Sequence, residues 1–239
     1  MRLYRYPGKI FKKYWYWFTV PSAELTGDLV NVFSYEDVSV AGFKKKVAPT
    51  TLIDLSRSQE ELWEAMRKRY VREQIEKGKR NGIVVNQADD WHTFKPIYLE
   101  FRKGKKLVDD DPRVFEHMHV VSAYYNGAPI AGGAFVFDRD HARAYALASL
   151  RFNEDGKMRE IVGQANRMVV WETMLWAKAK GIKTFDLGGI APDSTDPQDK
   201  SLLEFKEAFG GERVNAYYYR SYRSKMLKLF MKIKSYLSV

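Results

Sequence analysis

"QANRMVVWETMLWAKAKGIKTFDLGGI", residues 164–190, carries the reading on which the fold turns. Between Met168 and Ala177 only Glu172 and Thr173 are polar, so the spacing predicts a helix, about Glu160 to Lys180, that protein covers on most sides. Gly181 is placed to stop it, and Lys178 and Lys180 sit at the negative end of its dipole. "KTFDL" then reads as a strand. Just upstream, "HVVSAYYNGAPIAGGAFVFDRDHARAYALASL" (119–150) holds three apolar, β-rich runs split by Asn126-Gly127 and by Asp138 to His141, the pattern of an antiparallel meander. The last of those runs, the helix and "KTFDL" follow one another directly. Such an order implies a right-handed crossover, with "ARAYALASL" and "KTFDL" as a parallel pair. The expected fold class is α/β (α+β), a single domain whose mixed, largely antiparallel sheet is flanked by helices.

Working outward, residues 28–55 read as short strands, with "DLVNVFSY" and "TTLIDL" the clearest runs. Ser58 and Glu61 have capping-box spacing, and a long helix is expected from there to about Arg80, ended by Asn81-Gly82. "IVV" starts another extended piece, "WHTFKPIYLEFRKG" reads as a helix, and "DDDPR" as a charged loop. Three stretches are expected: a basic aromatic N-terminal segment (1–27), the α/β domain (28–223) and a C-terminal tail (224–239). In the tail, Met226, Phe230, Ile233 and Leu237 recur at helical spacing, with Lys225, Lys228 and Lys232 on another side. A basic amphipathic helix of this kind can lie on an anionic bilayer; one docked on its own core has the same pattern.

Composition narrows the chemistry. The chain of 239 residues has no cysteine, which removes thiol catalysis, disulfides and thiolate metal sites. A net charge of +10, with a pI near 9.5, favours partners bearing phosphate or carboxylate. No apolar run reaches the roughly 18 residues of a membrane span, and the lysine-interrupted N-terminus does not read as a signal peptide, so a cytoplasmic protein is expected. There is no G-x-S-x-G elbow, Walker lysine loop or Rossmann glycine fingerprint, leaving hydrolase, kinase and dehydrogenase readings without support. His117 and His119 would share a strand face, but no third ligand has metal spacing, and half-buried structural side chains are the expected reading.

Candidate functional residues gather in two places. "FDLGG" ends a strand of the parallel pair, and ligands bind beyond the carboxyl ends of such strands. Gly188 and Gly189 permit close approach there, and Asp186 at the strand end is the nearest candidate for a catalytic base that takes an amine's proton. Lys206, next to Phe205, follows on a short helix where it could face a developing oxyanion or a substrate carboxylate, although a helix lysine read alone is surface decoration. Ser149, at the end of the meander, and Asn166, early in the long helix, are added as substrate contacts. The helix after Ser58 offers Arg67, Lys68 and Arg72; Lys68 and Arg72 lie one turn apart, fit for phosphate oxygens, or else form a solvated face interleaved with Glu73 and Glu76.

The quoted stretch followed by "SLLEFKEAFGGERV" (201–214) resembles the Fem family of peptidoglycan aminoacyltransferases, members of the GNAT acetyltransferase-like superfamily. The shared pattern is a helix ending A-K-x-x-G-I, a strand reading Y/F-D-F/L-G-G-I, then F-K-x-x-F-G-G, all in order here. "MRKRYVREQIEKGKRNGIVV" (66–85) resembles the family's basic helix, and the likeness spans about residues 50–222. It implies transfer of an amino acid from aminoacyl-tRNA to an amine of a phosphate-bearing cell-envelope precursor, without metal or cofactor. It further implies Lys206 near the reacting carbonyl and basic residues on substrate phosphates. Fem enzymes typically have two GNAT-like domains and often a helical arm; this chain has length for one domain and a fragment. Acyl-CoA-using relatives place R/Q-x-x-G-x-G/A at the start of the helix after the central strand, whereas Arg159, Gly163 and Ala165 give R-x-x-x-G-x-A, one residue too long. An acyltransferase using acyl-CoA or another thioester on a sugar or lipid-linked glycan, and a non-catalytic basic RNA- or membrane-binding domain, are the alternatives. A location on the inner face of the membrane and a homo-oligomer are further expectations.

Overall fold

A computed structural model describes residues 2–7, 11–89, 91–105, 112–150 and 156–227. The chain divides into two compact units, Thr51–Arg213, and Met1–Thr50 with Val214–Val239.

In the larger unit, β4 (Lys44–Asp54, its end belonging here) leads to α1 (Gln59–Ala65), a π-helical turn (Lys68–Arg72) and α2 (Glu73–Arg80). The capping box is formed as the spacing requires: Glu61 N–H donates to Ser58 Oγ (3.1 Å), and Ser58 N–H to Glu61 Oε2 (2.7 Å). The single long helix expected over 58–80 is instead interrupted. Met66 is extended, Arg67 N–H turns to the Ala208 carbonyl, and the helix resumes through an i→i+5 bond from Glu73 N–H to Lys68 O.

Next come β5 (Val84–Asp89), α3 (Trp91–Gly104), a 3₁₀ turn (Pro112–His117), and the meander β6 (His119–Tyr125), β7 (Ala128–Phe137) and β8 (His141–Ser149). Asn126 and Gly127, at φ 51° and 78°, make the two-residue turn that their sequence promised. At the second turn, Asp138 Oδ1 accepts from the N–H groups of Asp140 and His141, both at 3.0 Å. Helix α4 (Gly156–Ala179) crosses over, and β9 (Thr184–Gly189) pairs parallel to β8, as expected. Helix α5 (Pro197–Glu207) completes the unit, started by Asp196, whose side chain accepts from Gln198 N–H (2.7 Å).

Strand alternation assigns the faces. Val121, Ala123, Ala131, Phe135, Phe185 and Leu187 pack with Val162, Val169, Trp171 and Met174 of α4 and with Leu62, Val71 and Ile75 of the α1–α2 segment. On the opposite face lie Trp91, Phe94 and Tyr98 of α3 with Phe115, the rings of Trp91 and Phe115 stacked at 4.0 Å. Helix α4 is therefore almost wholly enclosed, which is why its sequence shows no polar stripe.

The smaller unit holds β1 (Arg2–Pro7), β2 (Lys12–Trp17), β3 (Leu29–Ser34), the first part of β4 and most of β10 (Glu212–Tyr222). Strands β1 and β2 are antiparallel, β2 and β3 parallel, and β3 and β10 antiparallel. The α/β class with a mixed, largely antiparallel sheet is thus present. Residues 1–27, read from sequence as a basic aromatic segment, supply two strands, and β10 had no signal assigned to it. Residues 225–227 are helical; the rest of the tail, 228–239, lies outside the described residues. No helix among the described residues is long and apolar enough to cross a membrane.

Candidate functional site

The β8–β9 ladder is short. It pairs His141 with Thr184, Ala142 with Phe185 and Arg143 with Asp186, and there it stops, although β8 runs on to Ser149 and β9 to Gly189. Beyond the last rung the ladder ends, while Gly188 still passes close to the Ala144 carbonyl. Where a ladder ends before its strands do, the backbone groups beyond it must find other partners.

The last rung is ionic. Arg143 and Asp186, 3% and 0% exposed, form an ion pair, and Asp186 Oδ1 also accepts from Gly188 N–H at 2.6 Å. Gly188 sits at φ +85°, and a Cβ there would lie 3.1 Å from Ala144 O and 3.4 Å from Lys206 Nζ. The backbone conformation favours glycine, and a Cβ would also crowd the Ala144 carbonyl. Lys206, only 7% exposed, donates from Nζ to Gly189 O at 2.6 Å. Burial, reinforced by the Arg143 charge and opposed by Asp186, brings its pKa down from 10.5 to about 8. Read alone, a helix lysine is expected on the surface; this one is held in the interior, beside the open strand ends. An ammonium carries three donors, and the Gly189 carbonyl takes one of them.

Asp186 was the nearest base by sequence. Its burial, the Arg143 pair and the Gly188 N–H engage it in fixing the end of β9, beside which Lys206 is held.

The F-K-x-x-F-G-G segment also has a packing explanation. Phe209 is buried and meets the Phe205 ring edge-on at 5.3 Å. Gly210, at φ +80°, passes so close to α1 that a Cβ would come within 2.6 Å of Ala65 O. These residues seat α5 against the end of α1 and so decide where Lys206 points.

Of the other predicted residues, Ser149 is buried and its Oγ accepts from Asn166 Nδ2 (3.1 Å), while Asn166 Oδ1 is buried with no hydrogen-bond partner. Lys68 and Arg72 line one surface pocket of about 370 Å³ with Lys77, Arg80, Trp63, Glu73 and Glu76. Arg72 pairs with Glu64, and its Nε is buried without a hydrogen-bond partner. Arg67 is not in this group: it lies across from Glu204 of α5, at 3.3 Å.

Two residues went unnoticed in the sequence. Arg143 is one, although a single arginine inside an apolar strand was a visible signal. Arg167 is the other. Its guanidinium stands 4.6 Å from the Tyr70 ring and 5.6 Å from that of Phe205, and it donates to the carbonyls of Tyr70 and Gly163. It therefore links the π-helical turn to the helix that carries Lys206. His119, as expected, is a packed side chain: it stacks on Trp176 at 4.0 Å, and burial lowers its pKa to about 4.

No protein-family model matches the chain, and no curated protein does either. Solved structures do. FemX superposes with a TM-score of 0.63 at 13% identity, covering 83% of this chain and 74% of FemX. The chain has the Fem/GNAT-type fold. L-PGS from Bacillus licheniformis gives 0.51 at 13% identity over 87% of this chain and 72% of its own. The C-terminal domain assigned to a lysylphosphatidylglycerol synthetase of Agrobacterium fabrum gives 0.52 at 12% over 82% and 69%. At such identities the likeness is one of fold. In this fold the buried Lys206 and the Arg143–Asp186 pair lie at the end of the parallel β8–β9 ladder.

The near-motif for coenzyme A falls inside α4. Arg159 is in its first turn, and Gly163 and Ala165 are buried in the next two, where backbone N–H groups are spent on the helix itself.

Proposed function

We propose that this protein is an acyltransferase, and that it moves an aminoacyl group from aminoacyl-tRNA to an amine of a phosphate-bearing cell-envelope precursor. The observation that carries the reading is Lys206, a buried cation at the end of the parallel β8–β9 ladder. Attack of the acceptor amine forms a C–N bond at the ester carbonyl and places negative charge on its oxygen. The Lys206 ammonium donates to that oxygen in a site where little water screens it. As the tetrahedral intermediate collapses, the C–O bond to the tRNA ribose breaks and the amine's proton ends on the departing oxygen. Asp186 and Arg143 hold Lys206 and Gly188 in place. Lys68 and Arg72, which line the basic pocket, bind substrate phosphate. Phe205, Gly189, Ser149 and Asn166 line the approach to the reacting group, and Arg67 anchors α5 through Glu204. The tail from Ser224 brings the protein to an anionic membrane where a lipid-linked acceptor resides.

The test is transfer itself. Purified protein is incubated with labelled aminoacyl-tRNA or acyl-CoA and a panel of amine-bearing envelope precursors, and acceptors are weighed by mass spectrometry. An aminoacyl mass shift that disappears in Lys206→Met supports the reading. Transfer from acyl-CoA alone moves the donor to the thioester class, and no transfer from either donor overturns it. Sedimentation with anionic liposomes, lost on deletion of 224–239, checks the tail; full-length protein that stays in the supernatant removes that role.

A further inference from the structure

The smaller unit carries an outward sheet face that the proposed chemistry leaves unused. In the register of β2, β3 and β10, Trp15 is paired with Asn31 and Asn31 with Arg220, so these three side chains form one rung across three strands. Tyr218 and Tyr222 stand two residues either side of Arg220 and share its face. Lys44 and Lys46, also two apart, open β4 beside them. Together with Lys45 and Tyr219 these residues line a depression of about 510 Å³. The opposite face of the same strands is a small apolar core of Tyr16, Val30, Val32, Tyr217 and Tyr219. Farther along the outward face the rings of Trp17, Phe33 and Tyr218 pack together, which leaves the stretch around Trp15 and Arg220 as its open part.

The depression is built rather than incidental. Asn31, 2% exposed, accepts from Arg220 Nε at 2.9 Å and donates from Nδ2 to Tyr14 O at 3.4 Å, which sets the guanidinium at the centre of the rung. The Trp15 ring is fixed by stacking on Trp17 at 5.0 Å and by an edge contact with Tyr218 at 5.9 Å. Lys44 and Lys46 are exposed. Lys45 turns to Asp37 and the Tyr217 ring. The lining therefore offers planar rings on one side and cations on the other, with no carboxylate among its residues. Rings interleaved with cations on an open sheet are what a base and its phosphate require: the base stacks on any π-face and the phosphate neutralises the cations.

We propose that this face binds a nucleotide, with the base against Trp15 and the tyrosines and the phosphate against Lys44, Lys46 and Arg220. The pocket volume suits a single nucleotide unit, which a free nucleoside diphosphate or one residue of single-stranded RNA would supply in the same chemical form. The site lies within residues 15–46 and 218–222 and is read by binding alone, so its outcome is separate from that of the transfer assay.

The experiment uses the full chain and fluorescence anisotropy of a labelled single-stranded RNA octamer, with UDP and ADP as unlabelled competitors. Trp15→Leu changes no charge, and loss of one stacked base should weaken binding roughly tenfold or more. Tyr222→Leu serves the same purpose should Trp15→Leu lower the melting temperature. The double variant Lys44→Glu/Lys46→Glu should weaken binding further and flatten the salt dependence by roughly one to two in logarithmic slope. Lys183→Glu, a reversal at an exposed site elsewhere, should change little. Displacement of the octamer by UDP or ADP identifies a free nucleotide, and binding of the octamer without displacement identifies a strand; either supports the site. Binding that survives Trp15→Leu and Tyr222→Leu, or that drops equally in Lys183→Glu, reflects net charge alone and overturns it. So does binding of anionic vesicles with no binding of octamer or nucleotide.

Discussion

The end of the β8–β9 pair and the outward face of β2, β3 and β10 are both cationic, but their charges live in different media. Arg143, Asp186 and Lys206 are 3%, 0% and 7% exposed, whereas Lys44, Lys46 and Arg220 stand in solvent. In the first region water cannot screen, so a fixed charge acts strongly over a short range and proton affinities move, as Lys206 shows. In the second, the cations keep ordinary hydration and act through salt-dependent attraction. A buried cation suits a reacting oxygen; exposed ones suit capture of an anion. The difference follows from where each side chain sits, since lysine and arginine serve both regions.

The largest effect that would break this contrast is on folding. Arg143→Met leaves Asp186 buried without its counter-charge and should cost about 3–5 kcal/mol, read as a lower urea midpoint. Arg143→Met/Asp186→Leu should recover much of it. An unchanged midpoint in the single variant would mean that the pair is hydrated and that the two regions do not differ as described.

Next is turnover. Lys206→Met should lower transfer by about 10²- to 10³-fold, roughly 3–4 kcal/mol of barrier, while the chain stays folded. The lysine also makes a pH signature. Its folded pKa of about 8 lies below the unfolded 10.5, so between those values the unfolded chain holds a proton that the folded chain has released. Folding therefore becomes more favourable as pH rises through that window, and Lys206→Met should flatten the rise. Because the ammonium is the donor, transfer should decline above pH 8 even as the acceptor amine deprotonates. A rate that climbs without a break to pH 10 would show that the charged form is not used.

His119 sharpens the picture of the desolvated region from the acid side. Burial, followed by the charge of Lys180, holds its folded pKa near 4 against 6.5, so the unfolded chain takes up a proton first as pH falls. Stability should drop between pH 6.5 and 4, by up to roughly 3 kcal/mol, and His119→Phe should be less sensitive over the same range. Chemical denaturation at pH 7 and pH 4.5 separates the two.

The smallest expected effect belongs to the partly exposed Arg72. Arg72→Ala should raise the apparent KM several-fold with little change in kcat, since a phosphate contact holds ground and transition states alike. A fall in kcat with KM unchanged would place Arg72 in the chemistry instead.

Much of the larger unit was legible. The meander, its Asn-Gly turn, the parallel β8–β9 pair, helix α3 and the capping box follow from local rules, because alternation, turn chemistry and caps act over a few residues. What escaped did so for physical reasons. Strand β2 reads "KKYWYW", with lysines that mask alternation, and its pairing with β3 spans residues distant in sequence. The break at Met66–Arg67 depends on Ala208, some 140 positions away, accepting the Arg67 N–H. Arg167 has helical spacing like its neighbours, and only the packed structure brings Tyr70 and Phe205 to either side of it.

By itself the sequence determined the order of elements, the class of sheet, the enclosed α4, the paired glycines that end β9 and the presence of a lysine beside Phe205. Each of these rests on interactions between near neighbours, which any stretch of chain carries with it. The tertiary structure decided that the β8–β9 ladder stops after Arg143 and Asp186, and that Gly210 seats α5 so that Lys206 is drawn inside. It also aligned Trp15, Asn31 and Arg220, which begin more than 200 residues apart at their extremes, on one rung. Desolvation is a property of everything packed around a group. The shifted pKa of Lys206 therefore has no counterpart in the letters that flank it.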